Sequence, residues 1–122
     1  MKNRRKKTWI YTHIDAPEDN HGALKKQYEQ LNTYGEQLQT EIAGSSRDME
    51  RAAGLKRPGL DLFLEAKDSR GIEVLLVLGS SRLSRDEKQC MEFLLQMARC
   101  GIKVCSPLEG IPSASLQQSA GL

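Results

Sequence analysis

Histidine and cysteine are scarce in this chain, and their scarcity removes whole classes of chemistry. Two histidines (His13, His21) and three cysteines (Cys90, Cys100, Cys105) among 122 residues give no paired ligand spacing of the kind a metal centre needs. A catalytic thiol requires a neighbouring base, and only those two imidazoles exist to supply one, so the cysteines read as reduced core or near-core thiols. Long apolar runs are missing too. The longest, Val74 to Leu78, has the length of a strand and excludes a membrane-spanning helix. Lys2, Arg4, Arg5, Lys6 and Lys7 would suit the start of a secretory leader, but Thr8 to Asp15 is too short for its apolar part and runs into acids. A cytoplasmic setting is the expectation.

A broad basic face is also lacking, despite a formal net charge of +2. Five of the 18 basic residues lie between Lys2 and Lys7, which leaves 13 basic against 16 acidic residues in the body of the chain. Non-specific binding to DNA rests on such a face, so the body is not a general DNA-coating protein. What is present is a composition of 39% hydrophobic and 28% charged residues, ordinary for one globular domain of this length. The expected organisation is a basic tail at 1–7, a domain at 8–111 and a Ser/Gln-rich, disordered tail at 112–122.

Periodicity divides the domain into alternating elements. Thr8 to Ile14 is rich in β-formers and alternates, a first strand. Asp19 to Gly22 reads as a turn and helix start, with Leu24, Tyr28 and Leu31 at helical spacing into the mid-thirties. A short strand is expected at 37–42, and the small, polar stretch 43–56 reads as a mobile loop. Pro58 suits the first turn of a helix with Leu60, Phe63 and Leu64 on one stripe and Gly71 at its exit. Ile72 to Leu78 is the strongest strand. Ser84 and Glu87 form a capping box for a helix carrying Met91, Leu94, Leu95 and Ala98, ended by Gly101, and Ile102 to Cys105 is the last strand. This order predicts an α/β fold: a mainly parallel four-stranded sheet with helices on both faces. Functional groups in such sheets gather beyond the carboxyl ends of the strands.

Arginine forks suit phosphate because they bind it bidentately and remain charged. Arg82 and Arg85 are three residues apart and, on a helix opening after the third strand, would share a face beside its positive end. Taken with Arg57-Pro58-Gly59-Leu60, the strand Val74-Leu75-Leu76-Val77, the run Arg82-Leu83-Ser84-Arg85-Asp86 and the strand Gly101-Ile102-Lys103-Val104 leading to Glu109-Gly110-Ile111, the chain resembles the catalytic domain of serine site-specific recombinases, the resolvase/invertase family. The resemblance implies a phosphoryl-transfer site in which a serine at the end of the first strand attacks a DNA phosphodiester while arginines neutralise the developing charge. Arg57, Arg82 and Arg85 match three of those arginines, and Gln27 matches a supporting glutamine.

Three positions depart from the family pattern. Its first strand ends Tyr-x-Arg-hydrophobic-Ser, whereas this one reads Tyr11-Thr12-His13-Ile14-Asp15. The arginine has become His13 and the nucleophile Asp15. An aspartate that commonly precedes the first arginine after the third strand is Ser81. The resemblance therefore implies a degenerate domain without recombinase activity, needing no cofactor or metal. Its implied partners are DNA, held weakly through Arg57, Arg82, Arg85 and the basic tail, a second copy of the chain, or a full-length recombinase. The family continues into a long helix and a separate DNA-binding domain, where this sequence has only the 112–122 tail. Two alternatives stay open: an active strand-exchange enzyme using Asp15, Thr12 or a hydroxyl of Ser45-Ser46, and a receiver-like domain binding Mg²⁺ through Asp15, Glu18 and Asp19.

Overall fold

The β-formers from Thr8 onward produce a strand buried on both faces, β1 (Lys7–Ile14), which lies inside the sheet. The structure is a computed structural model and describes residues 5–14, 19, 21–49, 57–79, 82–83 and 86–108. After β1 come α1 (Ala23–Gln37), β2 (Glu41–Met49), α2 (Pro58–Ser69), β3 (Val74–Leu76), α3 (Glu87–Arg99) and β4 (Lys103–Cys105). The four strands are all parallel, in the order β2-β1-β3-β4. Trp9 and Tyr11 pack with Leu60 and Phe63 of α2 and Leu94 and Met97 of α3, whereas Ile10 packs with Leu31 and Tyr34 of α1. Helices thus cover both faces, as the alternating pattern predicts, with α1 on one side and α2 and α3 on the other.

The helices leave through one device. Ile72 N–H donates to Lys67 O after α2 and Ile102 N–H to Met97 O after α3, with Gly71 (φ 64°) and Gly101 (φ 78°) in the left-handed region that reverses the chain. Gln39 (φ 61°) takes the same position after α1. The stripe of α1 departs from expectation at one residue, since Tyr28 is exposed while Gln27 is buried beside Leu24, Leu31 and Gly35.

The largest correction concerns β2. The strand expected at 37–42 runs from Glu41 to Met49, so all of the described part of the expected loop, residues 43–49, is sheet. Its inward residues are small or polar because each meets a specific partner. A Cβ on Gly44 would lie 2.4 Å from the Trp9 ring, and Ser46 Oγ accepts from Trp9 Nε1 at 2.9 Å and donates to Gly59 O at 2.6 Å. Residues 50–56 lie outside the described part of the chain. A second correction concerns α3, whose N-cap is Asp86, accepting from Gln89 N–H at 3.1 Å, rather than a Ser84–Glu87 box. Of the cysteines, Cys90 and Cys105 are buried as free thiols, but Cys100, at the C-cap of α3, is exposed. Among the described residues no helix is long and apolar enough to cross a membrane.

Candidate functional site

Asp48 organises the carboxyl ends of the first two strands. It is buried, and it sits in register with His13 across the β1–β2 ladder. Its Oδ1 accepts from Gly59 N–H at 2.7 Å, and its Oδ2 accepts from Leu60 N–H at 3.1 Å and from the Tyr11 hydroxyl at 2.7 Å. A carboxylate receiving the first free amides of α2 satisfies the helix end and favours its dipole. Burial, and then the hydrogen bond and charge of Asp48, hold the Tyr11 phenol far above its ordinary value, with Arg57 pulling the other way. Tyr11 is therefore a neutral donor at physiological pH. Sequence reasoning missed Asp48 because it fell in a stretch read as loop; its place nine residues before Arg57 was the available signal.

Arg57 is the N-cap of α2 and half-buried. Its Nη1 donates to Arg82 O and Leu83 O, both at 2.6 Å. One guanidinium thus ties the start of α2 to the turn after β3, joining segments 25 residues apart. Leu83 is buried in the core on the α2–α3 side, which anchors that turn. The turn itself is closed by Arg82 N–H donating to Gly79 O at 3.0 Å. Arg82 precedes α3, which begins at Glu87, and is placed by a turn and by Arg57 rather than by that helix; Arg85, its expected partner on a shared face, lies outside the described residues.

His13 is 2% exposed, with its ring stacked on Tyr11 at 6.4 Å between centroids and 18° between planes. Gln27 grips the same residue through the backbone, accepting from His13 N–H at 3.2 Å and donating to His13 O at 2.8 Å. The β1–β3 ladder ends at Ile10 and Leu76, and the Gln27 amide takes up β1 backbone beyond that point. Gln27 therefore fixes the strand end as a positioning residue. Asp15, Ser81 and Arg85 lie outside the described residues.

The described part of the acidic trio has a structural task. Asp19 accepts from Ala23 N–H at 2.6 Å and Leu24 N–H at 3.2 Å, so both its oxygens serve the start of α1. Asp15 and Glu18 lie outside the described residues, and among the described residues no group of three or more His, Cys, Asp or Glu could hold a metal ion. Ser46 Oγ is engaged on both sides, as donor and acceptor, and Ser45 is exposed. What the site brings together is Tyr11, His13, Asp48, Arg57 and the Arg82–Leu83 turn at one rim of the sheet.

The family model of the resolvase N-terminal domain matches residues 16–120. The N-terminal catalytic domain of TP901-1 integrase shares the fold with a TM-score of 0.77 at 21% identity, covering 94% of this chain and 90% of that one. A resolvase family site-specific recombinase from Streptococcus pneumoniae follows at 0.76 and 20%, covering 96% and 86%. The C-terminal catalytic domain of ISC1926 TnpA, an IS607-like serine recombinase, superposes at 0.68 and 19%, covering 93% and 77%. No curated protein matches the chain.

Proposed function

Because the chain belongs to the resolvase N-terminal domain family, we propose that it is a serine-recombinase catalytic domain that no longer cuts DNA and acts by binding a partner chain or a DNA phosphate. The observation that carries this reading is the end of β1, where Tyr11-Thr12-His13-Ile14-Asp15 replaces both the family's nucleophilic serine and its first arginine. The buried, stacked ring of His13 is out of reach of an incoming phosphate. A carboxylate at position 15 repels that phosphate by about 1 kcal/mol at about 4 Å in water, and by about 4 kcal/mol at an effective dielectric of about 20. An acyl phosphodiester formed by Asp15 would also be open to hydrolysis, which defeats religation. Thr12 is no substitute, because alternation along β1 turns it to the opposite face from Tyr11 and His13.

An ordered scaffold supports this reading: Arg57 bridges α2 to the Arg82 turn, and Gln27 holds the end of β1. This supports a domain whose use is association, with another copy or with an intact recombinase. The test adds increasing amounts of the protein to a recombination reaction run by a catalytically intact relative. A dose-dependent fall in product, with mixed species seen by light scattering, is the expected result. A strict monomer that leaves recombination untouched contradicts it.

A further inference from the structure

A groove of about 710 Å³ lies along the outer side of β2, beside the start of α2, whose Gly59 N–H bonds Asp48. Thr12, Ser45, Ser46 and Arg47 line it from the sheet, Leu24, Lys25 and Tyr28 of α1 form one wall, and Pro58, Gly59 and Leu62 of α2 the other. Side-chain alternation puts Ser45 and Arg47 on the opposite side of the sheet from Ser46 and Asp48, whose side chains bond α2. Three of the large exposed apolar side chains border that edge: Tyr28 on one wall, Leu62 on the other and Met49 at the strand's end. Lys25 and Arg47 are exposed, have no hydrogen-bond or ion-pair partner among the described residues, and share the lining with no acidic side chain.

We infer that this groove receives an extended acidic peptide segment of another protein, added as a strand along residues 45–49 of β2. Among the described residues no other strand pairs with the outer side of β2, and such an edge is a template for strand addition. The β-bulge that interrupts the ladder lies earlier, near Ala43, so the stretch from Ser45 to Met49 is regular. An added strand presents alternate side chains to the two walls; carboxylates on the α1 side meet Lys25 and Arg47, and apolar side chains on the α2 side meet Leu62. A second copy of this chain fits poorly, since pairing the same edges about a two-fold axis would crowd both Arg47 and both Lys25 side chains together. Nucleic acid fits poorly as well, because two cations on an otherwise largely apolar lining fall short of a phosphate-tracking groove. The inference holds whether or not the domain cuts DNA.

The test is a backbone-amide NMR titration with a synthetic peptide of about eight residues alternating valine with glutamate, a length typical of a strand. The expected result is shifts confined to residues 45–49, 24–28 and 58–62, with affinity lowered about tenfold or more by Arg47→Glu and by Lys25→Glu. A peptide N-methylated at alternate residues, which cannot pair along its backbone, is expected not to bind and leaves the protein itself unaltered. The inference is overturned if the acidic peptide causes no shifts. It is equally overturned if a valine–lysine peptide binds as well, if N-methylation has no effect, or if only a single-stranded oligonucleotide moves these resonances.

Discussion

Asp48 shows how one buried carboxylate sets both stability and the site. Asp48→Ala removes the acceptor for Tyr11, Gly59 and Leu60 at once, leaving buried donors unpaired, and is expected to cost about 3 kcal/mol or more in urea unfolding. Tyr11 gives a pH signature. Its folded-state value is raised from an ordinary 10.0, so its contribution is complete below about pH 10 and is lost as pH rises beyond that through the folded value. Tyr11→Phe is expected to lower stability at neutral pH by about 1 kcal/mol, through the lost bond to Asp48, and to flatten the decline above pH 10 in unfolding midpoints. An unchanged alkaline limb would contradict the assignment. At this scale family motifs single out Arg57, Arg82 and Gln27, and the structure adds what two of them bond: Arg57 the carbonyls of Arg82 and Leu83, and Gln27 the backbone of His13. Asp48 was not legible in the sequence, because its role comes from contacts with an element eleven residues later in the chain.

Among the elements, β2 is where sequence reasoning failed and where the fold is most exacting. Hydrophobic alternation finds half-buried strands, and β2 has almost none from Gly44 to Asp48: Gly44 makes room for an indole, Ser46 bonds Trp9 and α2, and Asp48 caps α2. Strand β1 and the three helices were legible because they bury ordinary apolar stripes. The α2–β2 contact yields a prediction of its own. A Cβ on Gly59 would lie 2.3 Å from Arg47 O, and a backbone atom cannot swing aside as a side chain can. Gly59→Ala is therefore expected to destabilise by about 2 kcal/mol, despite the gain in helix propensity. Gly71→Ala is not a suitable control, since its positive φ adds strain of its own. A thermal melt of Gly59→Ala equal to the wild type would contradict the packing described for this junction.

The whole molecule is a parallel sheet whose connections reverse direction at β1, with β2 on one side and β3 on the other. Such a reversal opens a crevice at the carboxyl ends of the strands, and Tyr11, His13, Asp48, Arg57 and the Arg82 turn gather there. Among the described residues the same topology leaves β2 at the edge of the sheet, where the groove proposed above lies beside the start of α2. The absence of an attacking serine hydroxyl at position 15 is the central claim. Intact-mass spectrometry after incubation with DNA of mixed sequence and denaturing quench tests it most directly. The account predicts that the wild-type protein returns at its unmodified mass, while Asp15→Ser combined with His13→Arg acquires the mass of a covalently attached strand. A DNA adduct on the wild-type chain would contradict it.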